Sequence, residues 1–460
     1  MWFRRDLRLA DHPALLAADD EGEVLPLVVV EPPQLTDVRP PARRLLRSIA
    51  ALQESTRGAL LVRCGDPEEL VPLVAAAVGA ERVHVTRDTT PAGRERDARV
   101  AARLEAKGAE LVTTGSPCAV GPGTVRTGEG RPYQVFTPFA RAWRDHGWPS
   151  PAGPVGEGAW SRDGREVLAG IGTPVEEEVR AAAEETGVDG PAGEDAALRR
   201  WHAFLEHDLE AYGVERDRPD LDVTSRMSVH LAHGEVHPRT MLADLASHPA
   251  ADDDAVHRFV TELAWREFYA DVLWHRPDSA WTDLRGTLSG LAYDEGPETD
   301  RLVEAWQAGR TGFPFVDAGM RQLAAEGFMH NRVRMVAASM LTKDLHVWWP
   351  VGARHFLDHL LDGDLASNTH GWQWVAGTGT DPSPYFRVFN PVTQGERFDP
   401  DGAYVRRWVP ELAHLPGAAA HRPWSHPEGL AHGYPERIVD HAEERLEALV
   451  RYDMAKGSGP

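Results

Sequence analysis

One short stretch of the chain, DGDLASNTHGWQW, carries side chains whose types and spacing could do chemistry. It holds two carboxylates, Asp362 and Asp364, one amide, Asn368, and two indoles, Trp372 and Trp374. Asp, Asn, Gly and Trp are poor helix formers, so helix propensity does not account for the run. An amide can both donate and accept hydrogen bonds. The indoles could stack on a ligand or could simply fill a core.

A second set of polar and aromatic side chains shares one face of a predicted helix. In FVTELAWREFY, the residues Glu262, Trp265, Arg266 and Tyr269 are spaced i, i+3, i+4 and i+7, so they lie on the same side. An acid and a base beside two aromatic rings are unusual in a core stripe. The spacing predicts a pocket wall that stacks on something flat and hydrogen-bonds its edge.

Two further segments suit anions. MHNRVRM places Asn331 and Met335 one helical turn apart, with Arg332 and Arg334 between them. The planar fork of arginine suits phosphate or carboxylate. TSRMS puts hydroxyls and backbone N–H groups near a helix start, which suits an anion, although by itself an ordinary N-cap pair explains it better. No second His or Cys stands at metal-ligand spacing from His330, so no metal site is expected.

The composition is that of a soluble globular protein. Of 460 residues, 42% are hydrophobic and 26% are charged. No apolar run approaches the ~20 residues of a membrane span, and the N-terminus has charges where a signal peptide needs an apolar core. Cys64 and Cys118 form neither a disulfide framework nor a metal-ligand set. We therefore expect a cytoplasmic protein without a membrane contact.

The net charge of −22, from 49 basic and 71 acidic residues, argues on average against nucleic acid. The segment from Met320 to Lys343 differs, because it holds four basic residues and one acid. A local basic patch can exist on an acidic protein. On charge alone, a solvated helix face explains the segment at least as well.

The chain divides into three predicted regions. Residues 1–130 alternate strand-like and helix-like segments, which predicts an α/β domain with a doubly wound parallel sheet. Residues 131–195 are rich in Gly, Pro and Glu, which predicts an inter-domain connection with one short helix. Residues 196–460 show long amphipathic patterns, which predict an all-α domain. Met1 directly precedes the first strand, as it would if the natural start lay upstream.

Taken together and in order, these segments resemble the cryptochrome/photolyase family, and most closely its class I cyclobutane pyrimidine dimer photolyases. The resemblance covers nearly the whole chain and includes WFRRDLRLADHPAL, PYQVFTPFARAW, RDRPDLDVTSRMS, ELAWREFYADVLWHRP, MHNRVRM and the DGDLASNTHGWQW segment. It implies FAD in the helical domain, an antenna chromophore in the N-terminal domain, and damaged DNA as substrate. The implied enzyme is a monomeric carbon–carbon lyase. It repairs the dimer by light-driven electron transfer from excited FADH⁻ to the flipped-out lesion.

The resemblance also implies roles for individual residues. The implied FAD-binding residues are Tyr212, Thr224, Ser225, Arg226, Met227, Ser228, Phe259, Arg334, Asp362, Asp364 and Asn368. Asn368 would face flavin N5, and Asp362 would pair with Arg334. The implied catalytic residues at the lesion are Glu262, Trp265, Asn331, Met335 and Trp374. The residues implied to contact DNA are Arg216, Arg266 and Arg332. Trp372 and Trp349 would pass electrons to the photo-oxidised flavin.

Two features depart from the family pattern. The outermost of three electron-carrying tryptophans is missing from LAYDEGPETDRL, where Tyr293 is the aromatic residue, and Trp306 matches a different family tryptophan. We therefore expect a slower or rerouted electron path, with Tyr293 as one route. The Asn-Glu pair of folate-carrying members is replaced by Ala92-Gly93. This favours 8-hydroxy-5-deazaflavin, or an empty antenna site, over methenyltetrahydrofolate.

Two other functions are open to members of this family. A (6-4) photolyase would show histidines where Asn331 and Met335 stand, and this chain has none at these two positions. A cryptochrome-like photoreceptor is a signalling protein that often carries a long tail and often differs at Asn368. The residues Glu262, Asn331, Met335 and Asn368 together favour dimer repair.

Overall fold

The computed structural model describes residues 1–156, 160–161, 165–184, 190–380 and 386–457. Contacts group the chain into two compact units. The first unit comprises Met1–Tyr133, Thr137–Glu210 and Ser225–Pro277, and the second comprises Gln134–Phe136, Ala211–Thr224 and Asp278–Pro460. The boundaries expected near residues 130 and 195 stay a proposal about domain organisation.

The first unit is built around parallel strands. The strands are β1 (Trp2–Phe3), β2 (Leu27–Val30), β3 (Leu61–Cys64), β4 (Arg82–Val85), β5 (Glu110–Thr113) and β6 (Thr173–Pro174). One sheet has the order β1-β2-β3-β6, in which β1 to β3 are parallel and β6 is antiparallel to β3, and β4 pairs with β5 in parallel. The α/β class predicted for this region is confirmed.

Consecutive residues of β1 point to opposite faces of the sheet, as the strand pleat requires. Trp2 lies in a core cluster with Val74 and Val100, whereas Phe3 lies in a different cluster with Leu15 and Val179. Helices therefore cover both faces, which is the doubly wound arrangement.

Proline residues and N-capping side chains explain where several helices of the first unit begin. They are α1 (Pro13–Asp19), α2 (Pro32–Thr36), α3 (Pro40–Ser55), α4 (Pro67–Ala77), α5 (Pro91–Glu105), α6 (Phe136–His146), α7 (Glu176–Glu184), α8 (Glu194–His207), α9 (Leu209–Glu215, which continues into the second unit), α10 (Met227–His233), α11 (Pro238–Ser247) and α12 (Asp254–His275). The first five start with proline, whose missing N–H has no partner to lose in a first helical turn. Asp66 and Thr90 cap α4 and α5 with side-chain oxygens.

The stretch 131–195 holds more regular structure than the single short helix predicted, although parts of it lie outside the described residues. It contains α6, α7 and β6. Phe139 and Trp143 of α6 are buried, as are Val179 and Ala182 of α7. The apolar spacing of these helices is helical, but the surrounding Gly and Pro residues obscured it in the sequence.

All the regular elements in the described part of the second unit are helical. Its helices are α13 (Pro297–Gln307), α14 (Pro314–Glu326), α15 (Asn331–Ser339), α16 (Trp349–His359), α17 (Leu365–Ala376), α18 (Pro391–Phe398), α19 (Ala403–Trp408) and α20 (His441–Gly457). A π-helical turn, Met340–Asp344, follows α15. The predicted all-α character of the C-terminal half is confirmed. Across the described ranges, none of the helices combines the length and apolar character needed to cross a membrane.

Candidate functional site

Helix α17 carries the DGDLASNTHGWQW stretch and is fixed at its start and along its back. The Asp364 side chain caps the helix, accepting a hydrogen bond from the Ser367 N–H at 2.8 Å. On the back, fully buried His370 lies 3.0 Å from the Ser279 hydroxyl, and fully buried Gln373 donates to the Ser279 carbonyl at 2.7 Å. These polar anchors hold the helix in one rotation about its axis.

The opposite stripe of α17 is only half covered by protein. It consists of Asp364, Asn368, Gly371 and Trp374, all of intermediate exposure and spaced i, i+4, i+7 and i+10. A β-carbon added at Gly371 would meet no atom within 4 Å. A helix in a core would bury this stripe. The open space beside an acid, an amide and an indole therefore fits a flat ligand with polar edges.

The amide of Asn368, a member of this stripe, is held in one orientation. Its Nδ2 donates to the backbone carbonyl of Ala353 in α16 at 2.9 Å. Because the amide nitrogen is engaged there, the amide oxygen is the atom turned away from Ala353. The side chain is thus held as an acceptor by a contact that packing of α16 against α17 provides.

The predicted pairing of Arg334 with Asp362 is confirmed. Arg334 Nη2 lies 3.1 and 2.9 Å from the two carboxylate oxygens, and Arg334 Nε donates to the Met329 carbonyl at 2.7 Å. The Asp362 side chain is 4% exposed and that of Arg334 is 24% exposed. A nearly buried carboxylate needs such a partner, because an unpaired buried charge is costly.

The start of α15 brings together further predicted residues. Arg332 Nη2 pairs with Asp217 at 2.9 Å, and its guanidinium lies over the Phe398 ring at 4.4 Å. Arg332 Nη1 lies 3.8 Å from the Met335 sulfur. The exposed Asn331 begins the helix next to them. These side chains form a mixed polar and cationic surface.

Burial keeps the histidine that caps α15 neutral. It lowers the pKa of His330 to about 4, and His330 Nδ1 accepts a hydrogen bond from the Arg332 N–H at 3.2 Å. His330 is thus a buried cap of the helix start. No cluster of His, Cys, Asp and Glu suited to a metal ion occurs in the part of the chain that the structure describes.

The two predicted electron carriers of the second unit are buried indoles. Trp372 is 3% exposed and contacts Trp306 and Phe356 edge to face, with centroid distances of 6.1 and 5.0 Å. Trp349 is fully buried, and its Nε1 donates to Asp283 at 2.7 Å. Neither Asp283 nor the neighbouring Trp348 was singled out from the sequence, although the adjacent indoles of DLHVWWP were visible there.

In the first unit, α12 has the face that the spacing predicted. Glu262, Trp265, Arg266 and Tyr269 all have intermediate exposure. The rings of Trp265 and Tyr269 are 5.3 Å apart and tilted by 39°. Arg266 Nη1 donates to the Pro117 carbonyl at 2.9 Å, so one nitrogen of the guanidinium already has a hydrogen-bond partner within the protein.

A buried acid on the other side of α12 was missed. Glu267 accepts hydrogen bonds from the backbone N–H groups of Ala119 and Val120 and from the Trp143 indole. Burial raises the pKa of Glu267 to about 7, against the effect of these donors. Its partners are more than a hundred residues away in sequence, so no local pattern could have indicated it. Glu267 anchors α12 and does not lie on the half-exposed face that carries Glu262 and Trp265.

Phe259 and the TSRMS turn, also predicted to contact FAD, both lie in the first unit apart from Thr224. Phe259 is buried against Trp201 and Phe204, at centroid distances of 5.2 Å from each. In TSRMS, Arg226 has a left-handed backbone with φ of 53°, and Ser225 Oγ accepts from the Met227 N–H at 3.3 Å. A non-glycine residue rarely adopts positive φ, so this turn is held by its surroundings.

The remaining members of the predicted set are placed as follows. Met227 is buried and Ser228 is exposed, both at the start of α10 in the first unit. In the second unit Thr224 has intermediate exposure, and Tyr212 is buried under the Arg216 guanidinium at 5.2 Å.

Comparison with known proteins gives a consistent result over the full length. A family model of DNA photolyase matches residues 1–155, and a model of the FAD binding domain of DNA photolyase matches residues 259–454. The chain is 39% identical to a deoxyribodipyrimidine photo-lyase of Halobacterium salinarum, covering 99% of each chain. It is 40% identical to one from Streptomyces griseus, covering 99% of this chain and 98% of the relative. It is also similar to the solved structure of a bacterial class III photolyase from Agrobacterium tumefaciens, with a TM-score of 0.87, 34% identity and coverage of 99% and 97%.

Proposed function

Since the chain belongs to the DNA photolyase family, we propose how its side chains repair cyclobutane pyrimidine dimers in DNA. Its activity is that of a deoxyribodipyrimidine photo-lyase, and it has the FAD-binding domain that this activity uses. The observation that carries the residue assignments is the half-covered stripe of α17, in which an acid, an amide and an indole flank the open space at Gly371.

The residues around this stripe fit FAD. Bound and fully reduced, FAD supplies one electron in the light to the dimer, whose cyclobutane ring splits and returns the electron. We assign the flavin surroundings to Asn368, Asp362, Asp364, Arg334 and Phe259. We assign the phosphate and neighbouring contacts to Tyr212, Thr224, Ser225, Arg226, Met227 and Ser228.

Asn368 suits a reduced flavin for a specific reason. A reduced isoalloxazine carries a hydrogen on N5, so it needs an acceptor there. The amide oxygen of Asn368 is available as that acceptor because Nδ2 donates to Ala353. The Arg334–Asp362 pair, which we also assign to the flavin surroundings, holds two opposite charges without adding net charge. Such a pair is better suited to orienting a ligand than to stabilising the fold.

The lesion contacts are assigned to two groups of side chains. Glu262 would hydrogen-bond the polar edge of the dimer, and Trp265 and Trp374 would stack on its rings; aromatic stacking is worth about 1–3 kcal/mol per base. Asn331 and Met335 would line the polar and apolar sides of the same lesion. A damaged base costs less to extrude from the duplex because its stacking and pairing are already weakened.

DNA backbone binding is assigned to Arg216, Arg266 and Arg332, and it predicts a clear salt response. For Arg332→Ala we expect weaker binding and a slope of log K against log salt that is smaller by about 0.9, the value for one phosphate contact. For Asp217→Asn we expect tighter binding at low salt, because Asp217 competes with phosphate for Arg332. Fluorescence anisotropy on a dimer-containing duplex at several salt concentrations measures both. An unchanged slope in Arg332→Ala would remove this residue from the DNA contact.

The antenna is proposed to be 8-hydroxy-5-deazaflavin, or absent, and not methenyltetrahydrofolate. A β-carbon at Gly93 would lie 2.0 Å from Cγ of Asp88. Asp88 is itself held by Thr90 at 2.8 Å and by Arg96 at 3.0 Å. The longer side chain that folate carriers place here therefore has no room unless Asp88 moves.

The antenna proposal predicts which chromophore copurifies. The protein should be expressed in a host that makes deazaflavins and in one that makes only folates. We expect a second absorption band, assigned by mass spectrometry to the deazaflavin, in the first preparation and FAD alone in the second. A stoichiometric methenyltetrahydrofolate in either preparation would refute the proposal.

The decisive test of function is an anaerobic assay with reduced protein, in blue light and in darkness. One oligonucleotide carries a thymine cyclobutane dimer and a second carries a (6-4) lesion. Repair of the dimer in light alone is expected. Repair of the (6-4) lesion would instead indicate a (6-4) photolyase, and FAD binding without any repair would indicate a photoreceptor.

The monomeric state and the cytoplasmic location are further proposals. Light scattering of the FAD-loaded protein tests the monomeric state.

A further inference from the structure

Two adjacent tryptophans connect the interior of the second unit with its surface. Trp349, the first residue of α16, is fully buried, and Trp348, its N-cap, is 38% exposed. Their rings meet edge to face with a centroid distance of 6.3 Å. This is the contact geometry that aromatic pairs favour. One oxidisable ring thus lies inside the protein and the next is partly exposed to solvent.

One carboxylate serves both rings. Trp349 Nε1 donates to Asp283 Oδ1 at 2.7 Å, and Trp348 Nε1 lies 3.4 Å from the same oxygen. A negative charge this close stabilises a positive charge that develops on either indole. The core of a protein does not need an acid at this position, since an indole N–H is equally satisfied by a backbone carbonyl.

The inner end of the path is Trp372 of α17. Its ring lies against Gly352, where an added β-carbon would be 2.1 Å from Cη2 of the indole. Gly352 is three residues after Trp349 on α16, so both lie on one face of that helix. Trp372 is in turn four residues after Asn368. Trp372 therefore packs on the face of α16 that carries Trp349, and Trp349 contacts the exposed ring of Trp348.

Tyr293, the alternative that the sequence suggested, is poorly placed to lose an electron. Its hydroxyl is buried and has no hydrogen-bond partner among the residues described. Burial, assisted by the Asp283 carboxylate, raises the pKa of Tyr293. A phenol that loses an electron must also release its proton, and none of the described residues accepts a hydrogen bond from this hydroxyl.

We propose that Trp348 is the outermost electron donor of this protein and that it delivers electrons from solvent through Trp349 and Trp372 to the light-excited, oxidised flavin. The inference rests on the proposed FAD site. Each transfer moves one electron toward the flavin, so it oxidises one ring and reduces its neighbour on the flavin side. No heavy-atom bond forms or breaks along the path. Trp348 ends one electron short and releases its indole proton to water. An external thiol then returns the electron and the proton, so the thiol is oxidised overall and the flavin is reduced.

The test uses the FAD-loaded protein and four forms of the chain. The parent, Trp348→Phe, Tyr293→Phe and the control Trp424→Phe are illuminated with a thiol, and flavin reduction is followed by absorbance. Trp424 is the control because it is also an indole of the second unit that is partly open to solvent, and it lies under the Arg437 guanidinium at 4.6 Å, away from the Trp348–Trp349 pair in sequence. In a second readout, the proteins are illuminated with a spin trap and no thiol, and peptide mass spectrometry locates the adduct.

We expect at least tenfold slower flavin reduction in Trp348→Phe and less than twofold change in the other two variants. The spin-trap adduct should lie on Trp348 in the parent. Equal rates in Trp348→Phe and the parent, or an adduct on Tyr293, would overturn the proposal. Chemically reduced Trp348→Phe should repair dimers like the parent. If the parent itself repairs nothing, the proposed function fails, while the rates and the adduct position still judge the relay.

Discussion

Arg334→Met is expected to lose FAD on purification and to lower the free energy of unfolding by about 3–5 kcal/mol. The substitution leaves Asp362, with a side chain 4% exposed, as an unpaired buried charge. Arg334 also donates to the Met329 carbonyl at the end of the turn before α15, and this bond is lost as well. Urea unfolding and the ratio of flavin to protein absorbance measure the two effects.

A double variant separates the fold from the site. In Arg334→Met/Asp362→Leu no charge is left unpaired, so most of the lost stability should return, because apolar replacement of a buried ion pair is often neutral. FAD retention should not return, since the groups that would orient the flavin are gone. Full FAD retention in the double variant would show that the pair serves the fold alone.

The control for charge removal is Arg301→Met. Arg301 pairs with Glu298 at 2.9 Å, but both side chains are at least 75% exposed. Such surface pairs contribute about 0–1 kcal/mol. Stability and FAD content should therefore match the parent. A loss as large as that of Arg334→Met would mean that the two pairs cannot be distinguished by burial.

The sequence predicted those features that depend on local pattern. The runs that became β2 and β3 are short, apolar and rich in branched residues, which identifies buried parallel strands. The spacing of Glu262, Trp265 and Tyr269 placed all three on one face of α12 without any tertiary information. The Arg334–Asp362 pair was predicted across 28 residues, but only from the resemblance, because no local rule joins the two segments.

Features that depend on long-range contacts were not predicted. Asp283 receives an indole N–H from a residue 66 positions later, and its own surroundings, AWTDLRG, read as an ordinary loop. The stripe of α17 was recognised by its residue types, but its half exposure depends on which side His370 and Gln373 anchor. Both of these side chains read as ordinary polar positions until Ser279 is placed beside them.

Glu262→Ala is expected to lower the rate of dimer repair by about 10²–10³-fold, the usual effect of removing one preorganised hydrogen bond to a developing charge. Glu262 lies on the half-exposed face of α12 beside Trp265, and alanine cannot reach a ligand there. Glu262→Gln keeps an N–H donor and a carbonyl acceptor at the same reach. We expect it to lose less than tenfold. Single-turnover repair by prereduced protein is the measurement.

The comparison between the two variants decides what Glu262 does. If both bind the damaged duplex like the parent and both lose repair equally, hydrogen bonding is not the role, and the carboxylate charge itself must matter. If both repair at the parent rate, Glu262 does not touch the lesion. The control is His257→Ala, an exposed position on the same helix, which should repair normally because it leaves the α12 face intact. A graded loss, small in Gln and large in Ala, is the outcome that ties this side chain to the polar edge of the dimer.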